Sequence, residues 1–181
     1  MEGLQNFKNR TLETFPEVQS YWHHIEKFIV ESEAKKVEID NIKVGIAVSL
    51  YSGVIFTERV FKQPLNNFLF TVFHEFTHQY QFKKYGIEKM LELYSDKVSF
   101  EDGAVLMKQI ELVADEMATR KLRELQKKGF LLQSPLPNGI YKNIPLTSFV
   151  STIRNLKSQV KDLGLESSYE INDIFYSWLK S

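Results

Sequence analysis

The stretch FHEFTHQYQ, residues 73–81, sets His74 and His78 four positions apart, with Glu75 directly after the first histidine. On an α-helix residues four apart share a face, so both imidazoles can reach one ion. Glu75 falls about 100° further round, where a carboxylate lies beside that ion and is free to move a proton instead of ligating. The chemistry that calls for this set is metal-assisted hydrolysis, with imidazoles holding a zinc ion and the carboxylate acting as general base on water. The neighbours Phe68, Leu69, Phe70, Val72, Phe73 and Phe76 make the helix apolar nearly all round, which predicts a buried element. Two imidazoles and a carboxylate in such surroundings need partners, and a metal is the natural one. The competing reading is a structural helix whose histidines are satisfied by hydrogen bonds within the core.

A catalytic zinc site needs a third protein ligand and an open position. The metzincin arrangement would place Gly at 81 and His at 84, but this chain has Gln81 and Lys84. His23 and His24, the other histidines, precede the strand-rich segment and read as surface residues of an early helix. The better candidate is ELVADEMA, residues 111–118. There Glu111, Ala114, Asp115 and Ala118 fall at i, i+3, i+4 and i+7 on one helical face. Its two alanines permit the close helix approach that lets Glu111 reach the ion. Asp115, one turn on, is placed to accept the second N–H of a ligand histidine, while Glu116 faces elsewhere.

HEFTH followed by E-x-x-A-D-x-x-A resembles the gluzincin metallopeptidases, which take two His from one helix and a Glu from a later one. AVSLYSGVIFT, residues 47–57, is similar to the segment before the zinc helix in minigluzincins and in soluble relatives of the prenyl-protein peptidases. Ile46 stands where those proteins carry Asn, and repressor-cleaving peptidases of mobile elements share a similar layout, so the subfamily is open. The resemblance covers residues 46–118 and implies a zincin-like fold, one Zn2+ per chain on His74, His78 and Glu111, and Glu75 as general base. It also implies a substrate-binding edge strand at Ile46, Ala47, Val48 and Ser49, and a peptide or protein substrate. Gluzincins stabilise the oxyanion with a downstream His, Tyr or Arg. No histidine follows His78 here, which leaves Tyr141 and Arg154 as candidates.

The elements that must position these groups follow from pattern. Pro16 opens a helix with an apolar stripe at Ile25, Phe28 and Ile29. Val, Ile, Phe and Tyr then dominate, predicting strands over 37–39, 42–51 and 54–60, the last two as a hairpin. Asn66 or Asn67 caps a helix ending at Gly86, followed by helices over 87–94 and 100–128. Prolines and a glycine make 134–145 a loop, and helical patterns resume over 146–163 and 169–179. The expectation is one α+β domain over 1–181: a catalytic core over 36–128, where a small antiparallel-edged sheet packs on the active-site helix, and a helical extension over 129–181.

Composition limits the alternatives. Lys plus Arg and Asp plus Glu each total 23, so the formal net charge is zero and no basic excess suggests a nucleic-acid partner. Absence of cysteine excludes disulfides, thiol nucleophiles and cysteine zinc sites. The first fifteen residues lack the continuous apolar run of a secretory signal, and the most apolar stretch is too short for a membrane span, so a cytoplasmic protein is expected. Two other functions stay open on sequence: a zinc-binding regulatory or binding protein of zincin fold with little or no peptidase activity, and a helical protein in which the motif is fortuitous.

Overall fold

The first helix, α1 (Leu4–Thr14), carries few apolar residues, yet Phe7 and Thr11 are buried. Phe7 gives it a place: its ring stacks on Phe56 at 4.8 Å and lies 6.2 Å from Phe68 and 6.4 Å from Trp22. The computed structural model, which describes residues 1–42, 45–92, 97–131, 135–137 and 139–162, thus begins with a helix that the sequence pattern does not announce. Pro16 opens a 3-10 turn (Pro16–Ser20), not a long helix. Tyr21, at φ −129°, breaks the helical path and lays its buried ring on Phe130 at 5.2 Å, after which α2 (Trp22–Glu31) begins.

Three short strands follow, β1 (Val37–Ile39), β2 (Ala47–Leu50) and β3 (Gly53–Phe56), in the spatial order β1-β3-β2. β1 runs parallel to β3, and β2 pairs antiparallel with it as a hairpin. β1 has the expected span, and β2 covers part of the expected 42–51, of which 43–44 lie outside the described residues. β3 stops before the expected end because Thr57 closes the ladder: its N–H and its hydroxyl both donate to the Ile46 carbonyl, and Val60–Lys62 then form a 3-10 turn. Gly53, at φ 147°, lets the hairpin turn press against the neighbouring chain, since a Cβ there would meet the Lys36 carbonyl oxygen at 2.3 Å. β3 is central and fully buried, while β2 is an edge strand among the described residues.

The long helix α3 (Leu65–Tyr85) begins at Pro64, so Asn66 and Asn67 lie inside its first turn and not at the cap. It ends at Gly86 (φ 80°) as the sequence predicts. α4 (Ile87–Leu91) is short, and α5 (Phe100–Lys127) is capped by Ser99, whose hydroxyl oxygen accepts the Asp102 N–H at 3.0 Å. α6 (Leu146–Asp162) packs along α5 through Phe149 and Ile153 against Ala104. The helix expected over 169–179 lies outside the described residues. No helix among the described residues is long and apolar enough to cross a membrane.

The result is a mixed α+β protein, mostly helical, with α3 between the sheet and α5. Two devices fix that position. Ala114 and Ala118, both fully buried on α5, admit the close approach of α3. Gln79, buried on α3, sends its amide N–H groups to the Leu50 carbonyl (2.8 Å) and the Ser49 hydroxyl, fastening the edge hairpin to the histidine helix.

If α1 is part of the core, Phe7→Ala should destabilise the whole protein by about 3–5 kcal/mol, the range for truncating a buried aromatic. Urea unfolding followed by far-UV circular dichroism reads this. A loss confined to local fraying, with an unchanged global midpoint, would separate α1 from the core.

Candidate metal centre

The first turn of the motif is held by α3, and the facing acids come from α5. His74 Nε2 lies 3.1 Å from His78 Nε2 and 3.1 Å from Glu111 Oε2, and His78 Nε2 lies 3.5 Å from the same carboxylate oxygen. Three ligand atoms from two helices therefore form a nearly equilateral triangle. Ligand bonds of about 2.0–2.1 Å in a tetrahedron require edges of about 3.3–3.4 Å, which these distances approach.

The hydrogen bonds behind the rings decide which nitrogen carries a proton. His74 Nδ1 lies 3.1 Å from Asp115 Oδ1, an acceptor, so Nδ1–H donates and the Nε2 lone pair faces inward. His78 Nδ1 lies 2.7 Å from Gln81 Oε1. The Gln81 amide has its orientation set by its other end, since Nε2 donates to the Ile110 carbonyl at 2.9 Å. Oε1 must therefore face His78, and the His78 Nε2 lone pair also points inward. Two imidazole lone pairs and a carboxylate oxygen therefore converge. That donor set fits a cation, and the His74–His78–Glu111 group could hold a metal ion.

Without a cation, protons must fill the gap. Burial opposes charge on His74, but hydrogen bonds to Asp115 and Glu111 outweigh it and lift the pKa to about 10. Burial would likewise raise Glu111, yet hydrogen bonds with His74 and His78 bring it down to about 2. Glu75, which lines the same cleft, is pushed above the usual carboxylate range chiefly by burial, against the pull of the two imidazoles.

Comparison with protein-family models, curated proteins and solved structures finds no match for this chain. Geometry therefore carries the description of the site.

A cleft of about 270 Å³ opens over the triangle. Ala47, Val48 and Ser49 of the edge strand form one wall, and Phe82, Met90, Met107 and Ile110 supply apolar surface. Tyr141 closes it: its ring stacks on His74 at 5.6 Å and 20° between planes, and its backbone N–H donates to Asp115 Oδ2 at 2.9 Å. Asp115 thus serves His74 with one oxygen and the Tyr141 loop with the other. Gly139 makes that contact possible, because a Cβ there would come within 2.4 Å of Asp115 Oδ2. Burial, aided by Glu111, Glu75 and Asp115, raises the Tyr141 phenol, which stays protonated.

The structure thus brings together His74, Glu75, His78, Glu111, Asp115, Ala47, Val48, Ser49 and Tyr141. Ile46 is set apart, its carbonyl taken by Thr57, as is Arg154, whose guanidinium lies over the Phe100 ring at 5.4 Å. His23 is exposed and His24 packs on Phe130 at 5.3 Å, both outside the cluster. Gln81 escapes sequence reasoning. Its only signal is its place at i+3 from His78, which a surface glutamine would share.

Asp115 is 4% exposed, and the adjacent Glu116 is exposed. Asp115→Ala should lower metal affinity about 10–100-fold and Glu116→Ala should leave it nearly unchanged, as competition with a chromophoric chelator would show. Equal losses would mean a diffuse charge effect and dismiss the contact.

A pH series follows from the same groups. Raised above its ordinary 6.5, His74 stabilises the metal-free fold fully below that value and loses the contribution as pH climbs through about 10. Glu111, lowered from 4.5, contributes fully above that value and loses it as pH falls through about 2. Thermal unfolding of the metal-free protein should show the cluster's contribution greatest between those two ordinary values, and uptake of metal at neutral pH should release protons.

Proposed function

We propose that this protein is a zinc-dependent metallopeptidase of zincin-like fold, hydrolysing peptide bonds with one zinc ion on His74, His78 and Glu111. The observation that carries the reading is the triangle of inward-facing lone pairs beside the Glu75 carboxylate, at the floor of a cleft whose wall is an edge strand among the described residues. Its nitrogen-and-carboxylate donors suit zinc, with three protein ligands as in catalytic sites. Zinc, when bound, supplies Lewis acidity, polarising a carbonyl and making water acidic near neutral pH.

The chain's own groups divide the remaining work. Glu75 takes the proton of the attacking water and passes it to the leaving amine, from a place in the cleft beside His74 and His78. Tyr141, kept protonated and stacked beside His74, donates to the developing oxyanion. The substrate lies extended along β2. In the ladder Ile46 and Val48 turn their backbone groups toward β3, as the Thr57 N–H to Ile46 carbonyl bond and the register fix. Ala47 and Ser49 alternate with them and offer N–H and C=O to the open edge, where a peptide adds as a strand. Loose sequence preference is the expected consequence, since backbone bonds supply much of the affinity.

The deciding measurement is zinc content together with cleavage of a mixed peptide pool. Glu75→Gln should keep one zinc per chain and the fold while hydrolysis falls by about 100-fold or more. Equal cleavage by variant and wild type would remove the peptidase reading, and zinc binding without cleavage by either would favour a binding or regulatory role. Ala47→Pro removes an edge N–H without touching the β3 ladder, so it should impair cleavage and spare zinc affinity.

A further inference from the structure

Gln81 joins the two halves of the metal site through a single amide. Its Oε1 accepts from His78 Nδ1 at 2.7 Å, and its Nε2 donates to the carbonyl of Ile110, the residue immediately before Glu111. The side chain is buried, at 6% exposure, so neither bond is shared with bulk water. We infer that Gln81 is a positioning residue of the metal site, holding His78 with Nδ1 protonated and Nε2 inward while tying the Glu111 turn of α5 to the histidine helix. The inference rests on the proposed metal site and extends it to a residue that touches neither metal nor substrate.

Ile110 O can only accept, and the His78 Nδ1 that leaves Nε2 free to ligate can only donate. The Ile110 carbonyl also accepts the helical N–H four residues on, so the bond from Gln81 is an added tie; a group that makes both contacts must accept on one side and donate on the other, and a primary amide does both. A glutamate would still accept from His78, and more strongly, but an ionised carboxylate cannot donate to Ile110. A leucine does neither. The three side chains therefore separate the two contacts, and they are similar enough in size to keep the packing.

The test is zinc affinity of the full chain, measured by chelator competition on wild type, Gln81→Leu and Gln81→Glu, with melting temperatures of the metal-free proteins as a check on folding. Loss of the ligand support predicts about a 10–100-fold drop for Gln81→Leu. Gln81→Glu should retain clearly more affinity than Gln81→Leu, because the contact to His78 survives. In zinc-loaded samples, 15N-detected spectra of the imidazoles add a signature that altered packing would not produce. Gln81→Glu should move the His78 Nδ1–H proton downfield and leave that of His74 in place. This readout decides the matter even if Gln81→Leu fails to fold. Wild-type affinity in Gln81→Leu, Gln81→Glu as weak as Gln81→Leu, or an unmoved His78 proton would each overturn the inference while the metal site stands. A wild type that binds no zinc would overturn the metal site itself.

Discussion

Acceptors that face one another inside a protein need something positive between them. Here that constraint is acute: two imidazole nitrogens stand 3.1 Å apart, and one carboxylate oxygen lies 3.1 and 3.5 Å from them. Desolvation makes such an arrangement costly unless a proton or a metal compensates it. The remaining polar contacts around the triangle follow from it. Asp115 and Gln81 turn the rings so that the lone pairs converge. A core histidine satisfied for structural reasons would need no such convergence.

Convergence in turn sets the helix packing. Glu111 reaches the α3 histidines only if α5 lies close, and Ala114 and Ala118 provide the space where larger side chains would hold the helices apart. On its other side α3 must carry the edge strand at a fixed height above the cleft. Gln79 does so by bonding the Leu50 carbonyl and the Ser49 hydroxyl, which ties the strand to the histidine helix. The weak amphipathicity of α3 is the outcome: a helix with the sheet on one side and α5 on the other has little face left for solvent.

What was legible in the sequence was whatever obeys a period. HEFTH spacing announces two groups on one face, and Glu111 with Asp115 announces another at i and i+4. Gly86 and Gly129 end α3 and α5 near where their patterns stop. What was hidden depends on tertiary geometry. α1 has too few apolar positions to declare itself, and only the aromatic cluster around Phe7 shows why it is there. The end of β3 is set by Thr57, which closes the ladder by its own bonds to Ile46, an event that β-propensity does not register. Tyr141 is a candidate by residue type, but that it stacks on His74 from a 3-10 turn (Tyr141–Asn143) is a matter of tertiary geometry. Gln81 carries no charge, and its role appears only when Ile110 is found opposite it.

The two histidines of the candidate site are supported by different chemistry, and the difference follows from what each support must reach. Asp115 stands between His74 and the Tyr141 backbone N–H, two donors, so a carboxylate suits the place and binds the cleft wall to the ring it stacks on. Gln81 stands between a donor and an acceptor, where a carboxylate would lose the added tie to Ile110. A second acid there would also add charge to a site already holding Glu75, Glu111 and Asp115. A dication held there would offset two of those three, and a further buried anion would still meet the remaining negative charge with a repulsion of roughly 4 kcal/mol at 4 Å and an effective dielectric near 20. The neutral amide therefore meets the hydrogen-bond demand without deepening the charge imbalance, which is the physical reason for one acid and one amide behind a pair of otherwise equivalent histidines.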